Sequence, residues 1–395
     1  MTYDFTTKIT RRDTGSCKWD AMYALDPAVD ASVVPLSTAD MEFKNPPELI
    51  AGLKKHLESA ILGYTGPTDT YKNAVTHWMK IRHNWDIEPD WIVNTTGVVP
   101  AIFSAIQACT HAGDGVIIMP PVYRPFYNAI TLQHRKLALC ELIEKNGYYT
   151  IDFDKLEKLA KDPGNKALLF CSPHNPVGRV WSRHELQKVK NIILENGLRL
   201  LSDEIHFDII MPGYTHTVMQ SLDSTLADNT ITFTAPSKTF NIAGLGISNI
   251  IIKNQELRHQ FKKAQEIGNN TPFTAIGYKA CEICYTECVP WLTACITVID
   301  TNQKLVQAFF KANQPAITAR LIEGTYLQWI DFRALDMNYK DLEHFMIHTA
   351  HTFFNAGHIF GANGRGFARM NVAAPTSVIQ EALERLDYAL QTLKR

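Results

Sequence analysis

From about residue 48 to residue 290 the chain alternates short runs that are apolar at nearly every position with longer stretches that are apolar only at helical spacing. Such alternation predicts parallel strands buried on both faces and linked by amphipathic helices, the α/β class. The strongest runs are WIVNTTG from Trp91, GVIIMPP from Gly115, KALLFCSP from Lys166, LRLLSDEI from Leu198, TITFTAPS from Thr230 and SNIIIKN from Ser248. The flanks read differently. After residue 290 come a long helical pattern (TVIDTNQKLVQAFFKAN), strands around TYLQWIDF and ARMNVAA, and a closing amphipathic helix from Thr376 to Leu393. The expectation is a large domain over 48–290 with a mostly parallel central sheet, and a smaller α+β domain built from 1–47 and 291–395.

Composition agrees with two cores, since 395 residues that are 46% hydrophobic exceed what one ordinary core accommodates. Lys+Arg 39 against Asp+Glu 40 leaves a net charge of -1, which supplies no field for nucleic acid or an anionic membrane. The start, MTYDFTTKITRRDTG, lacks the apolar core of a signal peptide, and no apolar run reaches the length of a membrane span. A cytoplasmic protein is therefore expected, with its 8 cysteines as free thiols. Cys281, Cys284, Cys288 and Cys295 lie at offsets that follow one helix face. They read as core residues, and no metal site is predicted.

Polar residues at the strand ends carry the chemistry, because ligands of open α/β sheets gather at the carboxyl ends of strands. Ser237-Lys238 closes TITFTAPS and is followed by a turn of small residues, TFNIAGLG. An amine there is the group that forms a Schiff base with an aldehyde cofactor. Asp203 and Asn175 each follow another apolar run, in SDEIHFD and SPHNPVG. An acid that keeps a pyridine nitrogen protonated and an amide that donates to the ring's 3′-oxygen complete the demands of pyridoxal 5'-phosphate.

NPVG, SDEIHFD and APSKTFNIAGL resemble the motifs of fold-type I pyridoxal-phosphate enzymes, the aspartate-aminotransferase-like fold. Within that superfamily the chain is similar to the cystathionine β-lyase and cysteine desulfhydrase branch. The match extends from GSCKWD and ADMEFKNPP to FARMNVAAP. The resemblance implies a seven-stranded central sheet, with Lys238 as Schiff-base lysine and general base. It also implies phosphate contacts from Ser237 and from the backbone of Gly97, Val98 and Val99. Tyr123 would stack on the ring, and Arg369 would bind the substrate carboxylate. Tyr64 would reach the phosphate of a neighbouring subunit, making the protein a homodimer.

Two positions depart from the aminotransferase pattern. His206 stands where those enzymes usually carry tyrosine, and Gly246 where they carry a phosphate-binding arginine. Both favour β-elimination of sulfur from L-cysteine, cystathionine and related amino acids. The alternatives are an aminotransferase on the same scaffold, or a regulatory or haemolytic protein with incidental lyase activity. Arg124, beside Tyr123, reads equally as pocket mouth or surface.

Overall fold

The computed structural model describes residues 3–393. Its central sheet has seven strands in the order β1-β9-β8-β7-β6-β2-β3. These are β1 (Ile92–Thr95), β2 (Gly115–Ile118), β3 (Lys136–Leu139), β6 (Asn165–Cys171), β7 (Arg199–Asp203), β8 (Thr230–Thr234) and β9 (Ser248–Ile251), while β4 (Ile143–Lys145) and β5 (Tyr148–Thr150) form a separate hairpin. Every neighbouring pair from β8 to β3 is parallel, and β9 runs antiparallel to both β8 and β1. The expected seven-stranded, mostly parallel sheet is therefore present. β3 was not among the apolar runs read from the sequence. It is one of the two edge strands, with Lys136 exposed, Leu137 and Leu139 half-buried and only Ala138 buried.

Helices cover the sheet because their apolar positions recur every three or four residues. In Asp69–His83 the buried set is Tyr71, Ala74, Val75, Trp78 and Met79. The Thr68 side chain caps its start by accepting from Tyr71 N, and Asn84 ends it in the left-handed region at φ 48°. Helix Arg183–Glu195 opens with a reciprocal capping box between Ser182 and Glu185. Loss of such a cap costs about 1 kcal/mol.

A second sheet, all antiparallel, has the order β10-β11-β13-β12, with β10 (Thr318–Ala319), β11 (Leu327–Asp331), β12 (Asn355–Ala356) and β13 (Phe367–Asn371). The closing helix runs from Thr376 to Leu393 as predicted. Phe5, Trp19, Trp291 and Leu386 share one core cluster, so the N-terminal stretch packs with C-terminal elements.

The cysteine-bearing segment corrects one expectation. It is not a single helix: Ala275–Glu287 and Val289–Asn313 meet at Cys288 with a bend of 80°. Pro290 in the first turn of the second helix has no N–H to continue the first. Cys281, Cys284, Cys288 and Cys295 are all buried free thiols. Among the described residues no single helix is long and apolar enough to cross a membrane.

Candidate active site

β6, β7 and β8 lie side by side, so the residues that follow them are brought together although far apart in sequence. Asn175, Asp203, Ser237 and Lys238 line one cavity of about 190 Å³. Its other walls include Gly97, Val98, Val99, Tyr123 and His206. Of the residues singled out in the sequence, Arg369 reaches this group through Asn175. Tyr64 does not line it and is 94% exposed, edge-on to Phe273 with ring centroids 5.4 Å apart.

Lys238 sits in the one-turn helix Pro236–Thr239, whose preceding residue Ala235 is extended. Its Nζ donates to the carbonyl of Ala39 at 2.5 Å. Burial lowers its pKa to about 8, against the opposing pull of Asp40 and Asp203. Neutral amine is then accessible near physiological pH, as a nucleophile and base requires. Asp203 shows the reverse effect of the same burial: its carboxyl rises to about 7, with only the Ile205 N–H (3.2 Å) and the Lys238 charge drawing it down. His206 is held well below its ordinary value by burial and by the nearby cations Lys238 and Arg369. Its Nδ1 has no partner.

Arg369, at the centre of β13, is 4% exposed, and its hydrogen-bond partners among the described residues include no carboxylate. Its Nη1 donates to Asn175 Oδ1 at 2.8 Å, and Nη2 to Asn355 Oδ1 at 2.5 Å and to the Ser37 carbonyl at 3.3 Å. The guanidinium carbon lies 4.7 Å from the centre of the Phe360 ring. Nε is unpartnered, and burial brings the pKa down to about 10. A buried cation with neutral partners only is arranged to receive an anion.

The loop carrying Asn175 is rigidly held. Gly178 adopts φ +72°, and a Cβ there would come within 2.4 Å of Ile322. Arg179 anchors the loop by ion pairs of 2.9 Å to both Glu185 and Glu323. At the opposite wall the helix Val98–Cys109 begins beside Gly97, with its first backbone N–H groups free of intrahelical partners. Among the described residues Lys238 is the one Lys or Arg that lines the cavity, so a bound phosphate would be met there by helix N–H groups and Ser237.

Several participants carried no sequence signal of their own. Ala39 accepts from Lys238 and also from Tyr326 Oη at 3.0 Å. Tyr326 is fully buried, with its ring centroid 5.8 Å from that of His206. Asn355 and Ser37 hold Arg369. A carbonyl acceptor has no residue preference, and Asn355 lies in a two-residue strand too short to show a period. Gly246 ends a short turn in the left-handed region at φ +60°, a conformation that glycine adopts more readily than a residue with a side chain.

An open, mostly parallel sheet that gathers lysine, acid and amide at the ends of three adjacent strands defines the aspartate-aminotransferase-like class. The chain belongs to the aminotransferase class I and II family, which it matches over residues 31–386. It is 38% identical over 387 residues to cystathionine beta-lyase PatB of Bacillus subtilis, covering 98% of this chain and 100% of that protein. The crystal structure of cystalysin from Treponema denticola, which contains pyridoxal 5'-phosphate, superposes with a TM-score of 0.99 at 66% identity, covering 100% of both chains. The PLP-bound C-S lyase from Staphylococcus hominis gives a TM-score of 0.91 at 30% identity, with 99% and 98% of the two chains covered.

Proposed function

We propose that this chain is a pyridoxal-phosphate-dependent lyase that breaks the carbon–sulfur bond of L-cysteine, cystathionine and related β-thio amino acids. From cysteine and water the products are pyruvate, ammonia and hydrogen sulfide. The observation that carries this reading is the pairing of a depressed buried amine, Lys238, with a buried guanidinium, Arg369, that lacks an acidic partner.

The residues fit the cofactor. Asp203 is a buried acid in need of a cationic partner, and a ring nitrogen is such a partner. Tyr123 would stack on the ring, Asn175 and His206 would orient it, and Ser237 with the N–H groups after Gly97 would hold the phosphate. When bound, the cofactor supplies the electron sink for negative charge developing at the substrate Cα.

The chain's own residues do the rest. Arg369 takes the substrate carboxylate in a bidentate contact that fixes the Cα–H direction. Lys238 Nζ accepts the α-proton, and its lowered pKa keeps that transfer close to balanced. The Cβ–S bond then breaks with the electron pair leaving on sulfur. Gly246 in place of an arginine leaves the phosphate end less tightly held, and with His206 this favours elimination over amino-group transfer.

A homodimer is part of the proposal. Ile61, Leu62 and Tyr64 are 92%, 61% and 94% exposed, an apolar stretch that a second copy would cover while receiving Tyr64 at its own cavity. The division into 48–290 and 1–47 with 291–395 is supported by the two separate sheets. Eight unpaired thiols accord with a reducing, cytoplasmic setting.

The deciding experiment follows the absorption spectrum of the purified protein as L-cysteine is added, with pyruvate and sulfide assayed in the same tube. Violet absorption from the lysine-linked cofactor, with pyruvate and sulfide rising together, is expected. Absorption with amino transfer to an added 2-oxo acid outpacing pyruvate release would instead indicate an aminotransferase.

A further inference from the structure

Lys238 is held at its tip by the Ala39 carbonyl, and its backbone is held by a neighbour on the other side of the turn. Thr239 Oγ1 donates to Asp208 Oδ2 at 2.7 Å. Asp208 is fully buried and accepts two further bonds, from Trp78 Nε1 at 3.1 Å and His83 Nε2 at 2.8 Å. Both of those donors belong to helix Asp69–His83, which contributes nothing to the cavity lining. His83 is fixed in turn by stacking on Phe207, with ring centroids 4.1 Å apart and planes at 8°.

The segment that follows β7 therefore serves two places. Asp203 and His206 line the cavity, whereas Asp208 does not. Tight turns make the segment one body: Phe207 N donates to Glu204 O, and Ile209 N to His206 O, each at 3.0 Å. Glu204, also fully buried, pins it by accepting from Ser202 Oγ at 2.7 Å, His216 Nε2 at 2.7 Å and Met219 N at 3.1 Å. The helix that carries Lys238 has only four residues, so one side-chain bond is a large share of what fixes its rotation.

We infer that Asp208 is a positioning residue for the lyase reaction, setting through Thr239 the direction in which Lys238 enters the cavity relative to Asp203. This rests on the lyase reading above and adds a link between the residue facing the ring nitrogen and the residue that moves the α-proton. A small misplacement of a proton-transfer group lowers turnover steeply, since the reacting atoms must be held in near-attack geometry.

The test uses the holoenzyme with Thr239→Val, Thr239→Ser and Asp208→Asn. Valine keeps the branched shape and removes the hydroxyl. Thr239→Val should lower kcat for pyruvate release by about 10- to 100-fold with KM nearly unchanged. It should also displace the pH at which the violet absorption titrates. Thr239→Ser should restore both. Asp208→Asn changes the acceptor of Trp78 and His83 as well as of Thr239, so it should lower kcat in the same sense, and combined with Thr239→Val it should cost less than the product of the two single losses. Should Asp208→Asn fail to fold, the two Thr239 variants decide alone. Wild-type kcat and titration in cofactor-loaded Thr239→Val, even with a lowered Tm, would overturn the inference. Absence of lysine-linked absorption and of pyruvate in the wild type would overturn the lyase reading and this one with it, and that failure is read on a different protein.

Discussion

Arg369 donates to the side-chain oxygen of Asn175 at 2.8 Å across 194 positions of sequence. The bond joins β13 of the small sheet to the loop after β6 of the large one. The two roles proposed for these side chains, carboxylate binding and cofactor orientation, are thereby coupled, since a shift of either side chain strains or breaks the bond to the other.

Arg369→Lys keeps the charge and loses the planar fork. One ammonium cannot reproduce the bonds to Asn175, Asn355 and Ser37 and also present two donors to a carboxylate. A hydrogen bond to a charged group is worth about 1.5–3 kcal/mol, so kcat/KM for cysteine should fall by about 10- to 100-fold, mostly through KM. Steady-state pyruvate release measures it.

Lys238→Met should abolish pyruvate release and the violet absorption while leaving the fold intact. The folded value of about 8 lies below the ordinary 10.5, so below pH 8 the folded chain carries a buried ammonium at a cost. Without cofactor the variant should therefore unfold at the same temperature as the wild type at pH 7, or higher. Thermal melts of both cofactor-free proteins test this.

Asp203 gives a pH signature of opposite sense. Its folded value of about 7 lies above the ordinary 3.8, so the folded chain holds the extra proton between the two. Its contribution to stability is thus greatest below about pH 4 and is lost as pH rises to about 7, with a ceiling on the order of 4 kcal/mol. Buried His206, lowered instead, works against it in part of that window. The readout is therefore the difference between wild type and Asp203→Asn in cofactor-free melts, which should grow in favour of the variant from pH 4 to 7. Cofactor binding should shrink that difference.

If Tyr64 serves the partner's cavity, two inactive or weakened chains should rescue each other. A hybrid of Lys238→Met with Tyr64→Ala contains one cavity with both defects and one with neither. Refolding the two together should yield activity above the Tyr64→Ala dimer alone at low cofactor concentration. Activity that merely averages the parents would place Tyr64 outside the partner's site.

Legibility followed burial. Strands covered on both faces, such as Thr230–Thr234, announce themselves as unbroken apolar runs, and the polar residues just beyond them marked the cavity. β3 escaped notice because only Ala138 of its four residues is buried, whereas β1 at the other edge is buried throughout and reads as an apolar run. The helix break at Cys288 was hidden because thiols that are buried on two different helices kept a helical spacing. Asp208 stood in the quoted SDEIHFD motif, yet its service to Thr239 depends on a fold that no local pattern expresses.

The Arg369 bonds to Ser37 and to Asn175 have a consequence for synthesis. The amino-acid end of the cavity needs a carbonyl from near the start of the chain and a guanidinium from near its finish. Lys238 and Asp203 precede Arg369 by more than a hundred positions, so the amine and the acid of the cavity belong to a part of the chain that is made before the guanidinium. The carboxylate end of the cavity is thus a product of the completed fold, assembled only when residues 332 positions apart have met.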